Sequence, residues 1–115
     1  VSEWSLKRIS NSNRYRYKLA LLQQDADGDT YLNGHVNVNL VGTQNGKNTV
    51  YSLSEVSKEQ EQIDIKLRFK FFQDIEGELT LPDNFLPEYI KIVGVEINPV
   101  SKTIDREYPW IDAKG

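Results

Sequence analysis

Across residues 13–24, NRYRYKLALLQQ, apolar and polar side chains alternate: Tyr15, Tyr17, Leu19 and Leu21 fall on one side, Arg14, Arg16 and Lys18 on the other. Successive side chains of an extended chain point to opposite faces, so a period of two predicts a strand with one face buried. The period returns in GHVNVNLVG, with Val36, Val38 and Leu40 inward and His35, Asn37 and Asn39 outward. Asn45-Gly46 then supplies two residues that accept positive φ, as a tight hairpin requires, and TVYSLSEV reads as the returning strand.

The charged stretch SKEQEQ separates that hairpin from IDIKLRFKFF, the clearest alternation in the chain. Ile63, Ile65, Leu67, Phe69 and Phe71 are expected to face in, with Asp64, Lys66, Arg68 and Lys70 out, and so complete an apolar row predicts a central strand. Gly77 reads as part of a turn, DIEG, before a short strand ELTL that Pro82 stops. Two prolines flank Phe85 in LPDNFLPEY, which predicts a fixed connection with an aromatic anchor. In YIKIVGVEI the apolar parity changes between Ile92 and Val93, so a bulge is expected near Gly94. KTIDREYPW closes the series, with Ile104, Tyr108 and Trp110 as candidate core positions.

About seven short strands with turns between them, and no segment of helical period, predict an all-β fold: a single antiparallel β-sandwich, immunoglobulin-like in size. Only the first dozen residues could be helical, and they are too few to form a stable helix alone. The 115 residues suit one domain. Its expected organisation is a linker segment over 1–12 and the sandwich over 13–115. A hydrophobic fraction of 38% against 27% charged is a globular balance.

Fourteen basic and 17 acidic residues leave a formal charge of -3, which removes the electrostatic footprint of a nucleic-acid binder. With no cysteine there is no disulfide framework, thiolate zinc site or cysteine nucleophile. No run approaches the ~20 apolar residues of a membrane helix, so contact with a membrane is expected only through a segment absent from this chain. There is no methionine, even at position 1, which fits a chain that begins inside a longer protein.

In DADGDTYLNGHV, Asp25, Asp27 and Asp29 hold alternate positions like the first ligands of a calcium loop. Position six of such a loop needs glycine and is Thr30, and position twelve needs a bidentate glutamate and is Val36. Three exposed carboxylates ~7 Å apart repel by only about half a kcal/mol per pair in water, so the loop needs no cation to hold it. An ordinary polar loop is expected, with Asp25, Asp27 and Asp29 as weak metal candidates and no cofactor.

His35 is the single histidine, which rules out a two-histidine metal site, and it falls on an outward position. No serine stands in a nucleophile elbow, and VGTQNGKN lacks the ending of a phosphate loop. The carboxylate pairs Glu76 with Glu78 and Asp105 with Glu107 sit on exposed strand positions and are expected by chance among 17 acids. No catalytic residue is expected, and the chain reads as a non-enzyme.

Two outward basic rows are more suggestive: Arg14, Arg16 and Lys18, and Lys66, Arg68 and Lys70. If their strands are neighbours, one face carries all six cations and suits an acidic protein surface, a polyanion or lipid headgroups. If not, they are solvated faces balanced by Glu76, Glu78 and Glu107. Phe72 interrupts the outward charged row and marks a contact point. Trp4, Tyr15, Tyr17, Tyr31, Tyr51, Tyr89 and Trp110 could build a sugar platform, but most have the parity of core residues.

The stretch LRFKFFQDIEGELTLPDNFLPEYIKIVGVEI, with Phe69, Phe71, Phe72, Gln73, Gly77, Leu81-Pro82, Phe85 and Pro87, and the closing Tyr108-Pro109-Trp110, resembles an uncharacterised family of Gram-negative envelope proteins. YKLALLQ followed by a loop and GHVNVNLVG resembles it too. The resemblance implies an N-terminal membrane helix, a coiled coil and a C-terminal β-rich periplasmic domain, with VSEWSLKRIS ending the stalk. A non-catalytic interaction or assembly module, anchored in the inner membrane, is therefore expected. Its interaction surface is expected at the two basic rows and Phe72, and its partner is expected to be another envelope protein or a second copy. A carbohydrate or peptidoglycan-binding module is the alternative.

Overall fold

The computed structural model describes residues 2–23, 31–98 and 101–110. Its elements are β1 (Ser2–Arg8), β2 (Arg14–Leu22), β3 (Leu32–Gln44), β4 (Lys47–Ser52), α1 (Leu53–Val56), β5 (Ile65–Phe69), β6 (Phe72–Thr80), β7 (Phe85–Asn98) and β8 (Lys102–Pro109). They form the all-β sandwich that the alternation predicts, with eight strands among the described residues. One sheet has the order β1-β2-β6; the other has β4-β3-β7-β8, with β5 also paired to β3. Every pairing is antiparallel.

β3 organises the larger sheet because it is long enough to serve several neighbours. Its 13 residues span about 43 Å at ~3.3 Å per residue, close to the 47 Å long axis of the molecule. One edge pairs with β5 along Leu32–Val36 and with β4 along Asn39–Gln44, while the other pairs with β7. The inward residues of β2 meet those of β3 and β7 between the sheets, and Tyr15, Tyr17, Leu19, Leu21, Val36, Val38, Leu40, Ile90 and Ile92 are all buried. Ile104, Tyr108 and Trp110 pack against this core half-buried, and the Trp110 ring meets Tyr15 edge-on at 4.9 Å. The Asn45-Gly46 turn has φ of 53° and 80°, as the sequence predicts.

Several expectations are corrected. Residues 2–8, the one stretch that could have been helical, form β1, whose every residue pairs with β2. The strand expected over TVYSLSEV stops at Ser52, and Leu53–Val56 make a helical turn that places buried Leu53 and half-buried Val56 three residues apart on the core side. IDIKLRFKFF is not one central strand. β5 covers only Ile65–Phe69 and, among the described residues, has β3 as its single strand partner, while Ile63 and Phe71 are 60% and 58% exposed. The free edge of β5 is met by a side chain, since Gln73 accepts from Arg68 N–H at 2.9 Å and donates to Lys66 C=O at 3.1 Å.

DIEG is not a turn either. It lies inside β6, which pairs with β2 from Phe72 to Thr80 and sets Gly77 opposite Tyr17. A Cβ on Gly77 would stand 2.8 Å from the Tyr17 hydroxyl, so the glycine is there for close packing. Gly94 keeps regular register opposite Val36; the irregularities fall between Asn33 and Gly34 and between Val41 and Gly42, where the β7 partners skip Ile97 and Glu88. Pro87 sits beside the second, where the ladder is already broken and a missing N–H costs least.

The loop after α1 ties the two sheets together. Tyr17, buried and stacked on the Trp4 ring at 5.9 Å, shares a 2.6 Å hydrogen bond with the Ser57 hydroxyl and accepts one from Gln60 at 3.2 Å. Burial pushes its hydroxyl pKa up. Ser57 also donates to Glu59, whose carboxylate accepts the N–H of Glu78 at the rim of β6. The Glu59 N–H and then the Ser57 hydroxyl hold that carboxyl below the ordinary glutamate value. A carboxyl depressed in the folded state stabilises it above the unfolded-state pKa, and that stability is lost as pH falls through the folded value. Melting temperature followed from pH 6 to pH 3 should therefore fall less steeply in Glu59→Gln than in the wild type.

Candidate functional site

The two basic rows lie in different sheets. Arg14, Arg16 and Lys18 project outward from β2, whose neighbours are β1 and β6, whereas Lys66, Arg68 and Lys70 belong to β5 and the bend after it, beside β3. The conditional expectation of one six-cation face is thus corrected: β5 and β6 are separated by a bend at Lys70-Phe71 that moves the chain from one sheet to the other. The β2 row is moreover neutralised by β6. Glu78 lies 3.9 Å from Arg14 and 3.8 Å from Arg16, and Asp74 lies 3.5 Å from Lys18. An open hollow of about 730 Å³ lies here between Lys7, Arg16 and Lys18 on one side and Glu59, Glu76 and Glu78 on the other, with no excess of either charge.

The β5 row has a different environment. No carboxylate among the described residues lies within 4 Å of Lys66, Arg68 or Lys70. Instead the Arg68 guanidinium sits 4.7 Å above the Tyr31 ring and the Lys70 ammonium 5.4 Å from it, both within cation–π range.

Register explains why apolar side chains collect at the same place. β2 ends at Leu22 opposite Phe72, the first residue of β6, and Gln23 N–H donates to Phe71 C=O at 3.0 Å. β3 begins at Leu32 opposite Phe69, and β7 ends where Asn98 meets Asn33. One end of the sandwich therefore carries Leu22, Tyr31, Phe71, Phe72 and Ile97, each more than two fifths exposed. Phe72 was legible in the sequence as a contact point, but Tyr31, Leu22 and Ile97 were not. The adjacent pair Phe71-Phe72 was the available signal, because two neighbouring residues of a strand cannot both face the core.

The remaining candidates are dispersed. Asp25, Asp27 and Asp29 lie outside the described residues. Among the described residues no group of three or more His, Asp or Glu side chains stands close enough to hold a metal ion. His35 is on the outward face of β3, 4.0 Å from Asp64. Asp105 and Glu107 both bind Lys91, at 2.7 and 3.4 Å, and raise its pKa, the Asp105 hydrogen bond most. Tyr15 and Tyr17 are in the core, so the sugar platform of the alternative reading cannot be built from them.

Comparison with curated proteins and with solved structures gives no match. A family model does match, from residue 1 into the middle of β7, and leaves β8 beyond its end. Because residues 1–92 of the 115 match that model, the chain belongs to the family of unknown function DUF6776.

Proposed function

We propose that this chain is a non-catalytic interaction module that docks a partner protein through the end of the sandwich where Arg68, Lys70, Tyr31, Phe71 and Phe72 meet. The observation that carries this is the pairing of exposed aromatic rings with cations that have no carboxylate within 4 Å among the described residues. Arginine and aromatic side chains dominate the energetic centres of protein interfaces, because the rings bury much area while ordering few torsions and the guanidinium offers several donors in a planar fork. Stacking on Tyr31 holds the guanidinium in place before the partner arrives, which lowers the entropy lost on binding. The fit is to a partner surface that offers carboxylates beside an apolar pocket.

The setting belongs to the same proposal and rests on the resemblance to envelope proteins: a periplasmic domain of a protein anchored in the inner membrane behind a coiled coil. Among the described residues no helix is long and apolar enough to cross a membrane, so in this reading the anchor lies in another segment.

Photo-crosslinking in intact cells tests it, with the reactive side chain at Phe72 and a control at exposed Val50, which pairs with Val41 toward the opposite end. One protein should be captured from position 72 and not from position 50. Adding Arg68→Glu should reduce that capture at least tenfold while leaving the melting temperature unchanged, since an exposed charge away from the core contributes little to folding. Equal capture from both positions would sink the reading.

A further inference from the structure

We propose that the opening between the two sheets beneath β8 binds the acyl chain of a small anionic amphiphile. This goes beyond the partner-docking reading and does not depend on it, because it uses β8 and the interior rather than the β5 row.

The opening follows from how the sheets are staggered. Ser2, the first described residue of β1, already lies against Tyr108, with their hydroxyls 3.0 Å apart. The other half of β8, from Lys102 to Arg106, therefore reaches past that contact. What lies under it is a half-enclosed hollow of about 260 Å³ whose floor is Leu21, Leu32, Leu67 and Phe69. These four side chains are core residues, only 1–6% exposed, and the hollow reaches down to them from the surface. At ~30 Å³ per water-sized group the hollow holds about eight such groups, the scale of a medium acyl chain.

The rim supplies the head-group chemistry. β8 residues alternate across the sheet, and its pairing with β7 puts Lys102, Ile104 and Arg106 on the side of buried Ile92. A sandwich strand normally places apolar residues there. In β8 two of those positions are cations, they flank Ile104, and all three line the hollow. Neither cation has a carboxylate within 4 Å among the described residues. Glu96, cross-strand to Lys102, is the one acid among the described lining residues, so these residues together carry an excess positive charge. Inward charges also discourage strand-to-strand aggregation at a sheet edge. That role explains the two cations but not the hollow that they rim above core side chains, whereas an amphiphile with its chain in the hollow and its anion at the rim uses both.

The test is a titration of the isotopically labelled chain, followed by amide shifts, with decanoate, decyl phosphate and decyltrimethylammonium below their micelle concentrations. Saturable shifts centred on Leu21, Leu67, Phe69 and Ile104 are expected with the two anions and not with the cation. The stronger of decanoate and decyl phosphate identifies the head group as carboxylate or phosphate. Lys102→Gln with Arg106→Gln should weaken binding about tenfold at an unchanged melting temperature, since both side chains are exposed. Absence of saturable binding, equal binding of the cationic probe, or shifts centred on Phe71 and Phe72 would each overturn the proposal. The last outcome would leave the partner-docking reading intact.

Discussion

Leu40→Ala should destabilise the domain by about 3 kcal/mol, seen as a lower urea midpoint with an unchanged slope and a melting temperature lower by roughly 10–15 °C. Leu40 is fully buried in the middle of β3, where β4 binds one edge and β7 the other. A strand pinned on both edges cannot sag into the space left by three missing carbon atoms, so the lost transfer energy comes with most of a cavity. The comparison that isolates packing is Val50→Ala on the adjacent strand. Val50 is 58% exposed on the outer face, and its truncation should change stability by less than about 0.5 kcal/mol. If the two substitutions cost the same, the assignment of inward and outward faces in the larger sheet would be wrong.

That assignment was legible in the sequence wherever a strand has one wet face and one dry one. Tyr15 to Leu21 and Val36 to Leu40 alternate because the backbone itself alternates, and burial on one side makes the period visible. Legibility failed where the chain changes sheets without changing pattern. IDIKLRFKFF continues its alternation through the bend at Lys70-Phe71, so a strand of five residues and the start of another read as one. Gly77 misled for the opposite reason: its composition suggested a turn, while its role is to leave room for the Tyr17 hydroxyl, a neighbour more than fifty residues away in sequence.

The candidate site shows the same division. Both basic rows were visible, but strand order decides their meaning and is not written locally. Arg14, Arg16 and Lys18 are quiet because β6 lays Glu78 and Asp74 beside them. In the other row Arg68 and Lys70 are distinctive because their neighbour is the Tyr31 ring, and only the common ending of β2, β3, β5 and β7 brings Tyr31, Leu22 and Ile97 to that place.

Gly42→Ala and Gly34→Ala should each cost about 3 kcal/mol, and the reason differs from that at Gly46. At both β3 positions the partner strand carries an extra residue, and the distortion turns a carbonyl toward the glycine. A Cβ on Gly42 would stand 2.1 Å from Leu86 O, and one on Gly34 would stand 2.0 Å from Val95 O. Backbone atoms cannot rotate away as side-chain ends can, so either β7 shifts or the bulge opens, and both break ladder hydrogen bonds in the central pair of the sheet. At Gly46 a Cβ meets nothing within 4 Å, and only its φ of +80° penalises a side chain. Gly46→Ala should thus cost about 1 kcal/mol, and Gly46→Asn less, because asparagine tolerates that conformation. Chemical denaturation of these four variants and of Gly42→Asn separates crowding from backbone strain: asparagine should recover stability at 46 relative to alanine and should lose still more at 42. A Gly42→Ala protein that melts like the wild type would mean that Leu86 O points elsewhere, and that Glu88 is not the residue β7 leaves unpaired.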